Sequence, residues 1–513
     1  MTKARAAVLL IALAAAARSG AAPLPARSAE RIADGPLGVD LSDLDAQAPG
    51  STQTAAVAQL YAGAGVKWAR VRARPDVAAS TETDAGADSV LSALFDAGVK
   101  ALLTLDGPAP TADAASTPTF SGAPPWWPDW AAAEARRERG AVSAWQLWSD
   151  PPTAWGAGGA ADYGAFAKSV AAALRRDVPA PFVVLGPTPL ADGDFARAAA
   201  AAAAAADADG SIDAVAVVGA VDAARLAPLR AALAHDAARA PQVWAWVDAA
   251  GADDDSPVLR AKRLARAAVL ALASGASRVF LPRERAAEAG GPDAGPGEGP
   301  PFVVLRSLTA LFDERVSASA SVSASFQGAP PDLRIAAFMT RRGEPILAFW
   351  RDVPPVEDDG GTPVVLSLTA PVTDPTMIDP LSGQSAPLGS GTLTMVAVRA
   401  RDYPQFVTSA SVLKNVAPVL LVESDTYAFP NPVTGGGTAV LRFSVTRPVD
   451  AKVEIFTANH ELIRSAAIRA VAGRNSFEWD ASNAADGVYE WRVSADGQEL
   501  VRRLVVARRP AAP

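Results

Sequence analysis

Between Gly35 and Leu281, short apolar runs alternate with helix-forming stretches, and the alternation repeats eight times. The runs are Gly38 to Leu41, Val66 to Val71, Val99 to Leu105, Val142 to Trp148, Phe182 to Leu185, Ile212 to Val218, Val243 to Asp248 and Arg278 to Leu281. Between most of them lie stretches rich in Ala, Leu, Arg and Lys, such as Ala55 to Ala64, Val90 to Ala97, Tyr163 to Arg176, Phe195 to Ala206, Ala223 to Ala234 and Val258 to Ser274. Apolar strands followed by helices call for a parallel sheet covered on its outer face. Eight such units predict a (β/α)8 TIM barrel over residues 35–325. A doubly wound open sheet is the rival. It usually carries a glycine-rich phosphate turn after its first strand, and Gly38-Val39-Asp40-Leu41-Ser42 is not one.

Beyond the barrel the hydrophobic period changes to two. Arg334 to Met339, Pro345 to Trp350, Val364 to Leu368 and Leu393 to Val398 read as antiparallel strands, with Arg342-Gly343 at a hairpin turn. These predict a β-sandwich over 330–407 and a linker over 408–425. A second all-β unit over 426–508 carries strands Ala439 to Val445, Lys452 to Phe456, Arg474 to Trp479 and Gly487 to Val493. Two Pro/Gly/Ala-rich segments, Asp106 to Pro125 and Glu284 to Pro301, follow the third and eighth strands, so both belong to the C-terminal face of the barrel.

Composition narrows the chemistry. Cysteine is absent, which excludes disulfides and thiolate nucleophiles, and only His235 and His460 carry imidazoles. A Ser-His-Asp triad, a metal site and a bound cofactor are therefore not expected. Asp207-x-Asp209-Gly210-Ser211-x-Asp213 has its glycine too early for a calcium loop and reads as a solvated turn. The net charge of −8 and the scattered arginines offer no basic face for nucleic acid. At the N-terminus, Lys3 and Arg5 precede the apolar run Ala6 to Ala17 and the small residues Ser19-Gly20-Ala21. This reads as a signal peptide over 1–21, followed by a leader over 22–34. No other stretch has the length and apolarity of a transmembrane helix. An exported protein, periplasmic, extracellular or at the cell surface, is expected; its oligomeric state is open.

The fourth strand, Trp145-Gln146-Leu147-Trp148-Ser149-Asp150-Pro151, resembles the Trp-Glu-Ile-Trp-Asn-Glu-Pro strand of retaining (β/α)8 glycoside hydrolases of the cellulase and β-xylosidase-like clan. Gly65 to Arg72, Gly98 to Leu105, Asp162 to Arg176 with Val183 to Gly186, and Pro241 to Gly251 with Arg260 to Leu281 resemble neighbouring segments of that clan in the same order. The resemblance implies two glutamates about 5–5.5 Å apart, one as general acid/base and one as nucleophile. The first falls on Asp150 and the Asn before it on Ser149. The second has no glutamate: different frames place Val247, Ala249 or Asp248 there, and no glutamate lies between Glu138 and Glu284. The resemblance thus implies an enzyme-like barrel that has lost its catalytic pair. The alternatives are an active retaining hydrolase using Asp150 and Asp248, or a purely structural surface protein. The last domain, with Pro430-Asn431-Pro432, Trp479-Asp480 and Gly487-Val488-Tyr489, resembles the Ig-like module of the flagellar hook-capping type, and similar terminal modules direct surface sorting in some bacteria.

Alternation along a strand puts Gln146, Trp148 and Asp150 on one face, and Trp244, Trp246 and Asp248 on another. If these faces point inwards, carboxylates and indoles meet at the mouth. Trp126, Trp127, Trp130 and Trp155 are expected in or beside the adjoining loops. Indoles stack on the apolar faces of sugars, so Trp126, Trp127, Trp148, Trp155, Trp244, Trp246, Gln146 and Arg70 are the candidate binding residues for a polysaccharide or cell-surface glycan. Arg70 could instead pair with Asp40 or Asp150. The same indoles could equally be filler in a barrel of alanine and valine.

Overall fold

A computed structural model of the chain describes residues 21–24, 27–29, 32–44, 52–75, 85–107, 123, 125–138, 140–156, 158–178, 180–190, 193–204, 212–233, 240–247, 256–283, 299–322, 324–328, 330–413, 421–422, 426–434, 437–445, 449–459, 461–471, 473–495 and 498–507. Residues 1–20 of the expected signal peptide, His235, His460, Asp248 and most of the two long mouth loops lie outside these described residues.

Eight parallel strands close into a barrel in sequence order. They are β1 (Leu37–Asp40), β2 (Trp68–Ala73), β3 (Lys100–Leu105), β4 (Val142–Leu147), β5 (Val183–Pro189), β6 (Ala214–Val218), β7 (Gln242–Trp246) and β8 (Arg278–Pro282). Each of the eight expected runs overlaps one of them. The outer layer comprises α1 (Thr52–Gly63), α2 (Ala85–Asp96), α3 (Trp127–Glu138), the short α4 (Pro151–Trp155), α5 (Ala160–Asp177), α6 (Gly193–Ala204), α7 (Ala223–Leu233), α8 (Pro257–Ala273) and α9 (Pro300–Leu311). Helices α3, α4 and α9 are additional to the expected segments. Each begins at or beside proline, which suits the first helical turn because its missing N–H has no partner there.

Local sequence explains the helix ends. In α8, the Ser256 hydroxyl accepts from the Leu259 amide at 3.2 Å, Pro257 opens the first turn, and Gly275, at φ 82°, follows the stop. The buried face of α8 includes Ala261, Leu264, Ala265, Ala268, Val269 and Leu272. That is the helical spacing that lays one stripe on the strands.

Two faces of the barrel strands are filled differently. The outer face and the helices share a large apolar core. The lumen holds a separate cluster: Trp68, Leu102, Ala144, Val184, Ala214, Ala216, Trp244, Trp246 and Phe280. Bulk is concentrated on β2, β7 and β8, with small residues on β4 and β6. On β1, Gly38 leaves room for Phe280, whose ring would lie 2.7 Å from any added Cβ.

A two-sheet β-sandwich follows. Its larger sheet runs, edge to edge, Ala22–Pro23, Gln384–Pro387, Pro375–Asp379, Gln405–Ser409, Pro345–Arg351, Leu333–Thr340 and Val316–Ala318. The smaller sheet holds Ala324–Gln327, Thr362–Thr373 and Thr392–Ala400. Phe338, Ile346, Ala348, Trp350 and Phe406 of the larger sheet belong to the same apolar cluster as the barrel helices, so sandwich and barrel share a core. Two expected linkers are structured at their edges. Thr408, expected to begin the second, sits in a central strand, fully buried, with its hydroxyl donating to the Pro345 carbonyl at 2.7 Å. The leader adds an edge strand at Ala22–Pro23 and a buried ion pair, Arg27 to Asp313 at 2.8 Å.

The barrel meets the sandwich through buried charge. Lys262 of α8 and Asp402 lie 2.9 Å apart with side chains 1% exposed at both ends. Arg266, one turn on, donates to the carbonyls of Arg351, Val353 and Asp402. The terminal sandwich has sheets Tyr427–Phe429, Thr438–Val445, Gly473–Asp480 and Val433–Thr434, Gln498–Ala507, Gly487–Ala495, Val449–Thr457, Leu462–Ala470, closed over Leu441, Phe443, Trp491 and Leu504.

Removing one partner of a buried pair strands the other charge in a poor solvent. Lys262→Ala is expected to lower the unfolding free energy by about 3–5 kcal/mol, read from the denaturant midpoint. A shift no larger than that of a surface Lys→Ala control would contradict this role for the pair.

Candidate functional site

The C-terminal mouth of the barrel opens into a depression with about 830 Å³ of open space, lined by Asp40, Arg70, Ser149, Asp150, Pro187, Pro189, Val218, Trp246, Val247, Phe280 and Pro282. The lining residues lie on the barrel strands or the turns after them, at the end of the barrel where sites are built.

Arg70 stands on β2, 6% exposed, and reaches across the strand tops. It donates to Asp40 at 2.7 Å and to the Thr104 hydroxyl at 2.9 Å, and its guanidinium carbon lies 5.9 Å from the Trp246 ring centre. Of the two partners open to Arg70 on sequence grounds, the structure pairs it with Asp40. Burial pushes the Asp40 carboxyl up, but Arg70 and the Ser42 amide more than offset that and hold it below the ordinary aspartate range. Asp40 is therefore an ionised carboxylate at neutral pH, unsuited to donating a proton.

Trp246 packs flat on Phe280, centroids 4.8 Å apart and planes 16° apart. Its buried indole N–H has no hydrogen-bond acceptor among the described residues. Gln146, fully buried in the lumen, donates from its amide to the Trp148 carbonyl at 2.9 Å, and its own side-chain oxygen has no described partner. Unpaired polar atoms in a buried place cost free energy unless a ligand or water completes them.

The expected alternation on the fourth strand breaks at Trp148. That residue has φ 72°, which turns its ring out of the lumen into an aromatic cluster beneath the helices. Trp148 meets Trp127 at 5.6 Å and Trp155 at 4.9 Å, and Phe166 packs against Trp127 and Trp155. Trp127, expected in a loop, is in α3 and wholly buried, with its N–H donating to the Asp106 carbonyl at 3.0 Å. Trp155 ends α4, Trp130 packs on Trp127, and Trp126 is 43% exposed beside α3. Trp244 lies at the opposite end of the lumen, 1% exposed. Of the sequence candidates, Arg70, Trp246 and Asp150 come together at the mouth, with Gln146 below them. Trp127, Trp148, Trp155 and Trp244 do not join them, and Asp248 lies outside the described residues.

Asp150 is exposed and caps α4: its carboxylate accepts from the Thr153 amide at 3.3 Å and the Thr153 hydroxyl at 2.6 Å. Asp-Pro-Pro-Thr is a helix-start sequence, so this role follows from local sequence alone. Sequence reasoning missed Asp106. Its buried side chain accepts from the Ser149 amide (3.1 Å) and hydroxyl (2.7 Å) and from Arg74 at 3.2 Å, which fixes the turn carrying Asp150. Nor does any sequence signal single out Tyr163. Its hydroxyl donates to the Leu147 carbonyl at 2.6 Å and accepts from the Gly186 amide at 2.7 Å. Gly186 is required there, since a Cβ would come within 2.6 Å of the Leu147 and Trp148 carbonyls. Burial drives the Tyr163 hydroxyl well above its usual value, so it stays protonated.

Asp88, Glu134 and Glu138 place carboxylate oxygens within 4.8 Å of one another on the outer layer. Arg137 contacts all three, at 2.9, 2.6 and 2.8 Å, and already supplies the positive charge. Asp213, from the expected solvated turn, accepts from the Val183 amide at 2.7 Å.

Residues 427–507 match the family model described as secretion system C-terminal sorting domain. The terminal sandwich is thus similar to domains of that sorting type. The match points to the cell surface or beyond, and no helix among the described residues is long and apolar enough to cross a membrane. No curated protein matches the chain. Similar solved structures include a glucosidase from Croceicoccus marinus (13% identity, 95% of this chain and 97% of that one, TM-score 0.39). A GH27 β-L-arabinopyranosidase from Geobacillus stearothermophilus is similar at 10% identity, 76% and 99% coverage and TM-score 0.42. CelM2, a bifunctional glucanase-xylanase from a metagenome library, is similar at 11% identity, 76% and 97% coverage and TM-score 0.46.

Two outcomes test this geometry. Tyr163→Phe leaves the Leu147 carbonyl and Gly186 amide without their partner and is expected to cost about 1–3 kcal/mol, measured by chemical denaturation. The Asp40–Arg70 pair stabilises the fold above the ordinary aspartate value, about 3.9. It is lost as pH falls through the lower folded value. Acid titration of stability should thus show a component below about pH 4 that Asp40→Asn lacks; identical profiles would refute the coupling.

Proposed function

We propose that this exported protein binds glycan at its barrel mouth and does not hydrolyse it by the retaining route. The observation that carries this reading is the state of the two carboxylates among the described mouth residues. Asp40 is paired with Arg70, and the Asp150 carboxylate is turned onto Thr153 of its own helix. A retaining hydrolase needs one protonated carboxyl to deliver a proton and one free carboxylate to attack. Neither role suits Asp40 or Asp150 as held. Beside them, Trp246 offers an unpaired N–H at the edge of an aromatic pair, and a sugar hydroxyl is a suitable acceptor for it. The terminal sandwich serves delivery, and its hook-capping resemblance concerns its Ig-like fold.

The test pairs an activity assay with affinity electrophoresis. The full-length protein should release no product from aryl-glycosides or β-glucans, yet be retarded by at least one polysaccharide of a panel. Trp246→Phe, which keeps the ring and removes the N–H, should reduce that retardation by about 3- to 10-fold in affinity. Hydrolysis that disappears in Asp150→Ala would overturn the reading in favour of an active enzyme. Retardation by no glycan would favour a purely structural surface protein.

A further inference from the structure

A second depression, with about 950 Å³ of open space, lies at the other end of the barrel, between the strand starts and the terminal sandwich. Its chemistry differs from that of the mouth. Lys100, Arg278 and Arg474 line it, and Asp34 is the one carboxylate among the described lining residues. The chain as a whole is acidic, at −8, so a lining that brings three cationic residues together runs against the general balance.

The single carboxylate is already engaged. Asp34 accepts from the Trp68 indole at 2.7 Å and from Arg278 at 2.6 Å, and lies 3.5 Å from Lys100. Burial alone would raise its carboxyl; Lys100, Arg278 and the Trp68 hydrogen bond hold it down to about 2. Lys100 and Arg278 share this carboxylate. Arg474, from the strand Gly473–Asp480, donates across to the Val142 carbonyl at 2.9 Å, a neutral partner that leaves its charge uncompensated. The buried Nε atoms of Arg278 and Arg474 have no acceptor among the described residues.

Aromatic surface adjoins these cations. Phe182 is half-buried and stacks on Trp244, centroids 5.4 Å and planes 18° apart. Tyr427, half-buried, comes from the terminal sandwich, where Arg442 donates to its hydroxyl at 3.2 Å. Cations together with aromatic faces suit a ligand that is both anionic and ring-shaped with an apolar face. A bare phosphate would use only the cations.

We propose that this depression binds an acidic saccharide: its carboxylate sits among Lys100, Arg278 and Arg474, and its ring lies against Phe182 and Tyr427. The site is independent of the mouth. Because Tyr427 and Arg474 belong to the terminal sandwich, the ligand also fastens that sandwich to the barrel.

The experiment is calorimetric titration of the full-length protein with trigalacturonic acid, with its methyl ester, which keeps the rings and removes the charge, and with inorganic phosphate. The acid should bind at least about tenfold more tightly than the ester or phosphate, and more weakly as salt rises. Arg474→Gln and, separately, Tyr427→Leu should each weaken it several-fold while circular dichroism and the thermal midpoint confirm a folded chain; Trp246→Phe at the mouth should leave it unchanged. Equal binding of acid and ester, phosphate binding as tight as the sugar acid, or loss of binding only in Trp246→Phe would each overturn the proposal. So would unaltered affinity in a folded Tyr427→Leu variant, which keeps Arg474 in place if Arg474→Gln proves unstable.

Discussion

A closed sheet of eight strands must fill its own interior, and here four large rings do most of that work. Trp68, Trp244, Trp246 and Phe280 occupy one side of the lumen, while Ala144, Ala214 and Ala216 leave space on the other. Trp244 touches Trp68 edge-on at 5.4 Å and Phe280 at 5.8 Å, so the rings brace one another across three strands. Gly38 is the counterpart of this bulk on β1. The barrel closes around this lopsided filling, and the filling also decides what faces each opening: Trp246 at the mouth, Trp244 and Trp68 at the base.

Charge is arranged by the same strands. On β2 the inward positions run Trp68 then Arg70, so one strand supplies an indole to the base and a guanidinium to the mouth. At the mouth, cation and carboxylate balance as Arg70 and Asp40. At the base, Asp34 pairs with Lys100 and Arg278, while Arg474 donates to a backbone carbonyl. The mouth, with Asp150 beside the Arg70–Asp40 pair, and the base, with Lys100, Arg278 and Arg474, differ in charge and call for different ligands, and both are held on rigid strands, where geometry is best preserved.

The two sandwiches are attached in contrasting ways. The first shares an apolar core with the helices and adds the buried Lys262–Asp402 pair. The terminal one contributes Gly473 against Phe95 and Arg474 to the Val142 carbonyl, with a separate core of its own. A domain matching an export-sorting model thus has its own hydrophobic interior, as a module able to fold separately requires.

The eight staves, the change of period near residue 333 and the β-rich end were all legible in the sequence, because hydrophobic alternation is a local consequence of which faces are buried. The helix start at Asp150 was legible too, in Asp-Pro-Pro-Thr, although the hydrolase frame assigns the same residue a chemical role. The outward turn of Trp148 was not. A positive φ at a tryptophan is held by its surroundings, namely Trp127, Trp155 and Phe166 from three helices and the glycine at 186 that lets the turn approach. Nor could spacing reveal that Asp106 holds the turn, that Arg70 chooses Asp40, or that Asp34, Arg278 and Arg474 gather beneath the barrel. Those residues stand tens to hundreds of positions apart, and only closure of the sheet and docking of the last domain bring their charges within reach of one another.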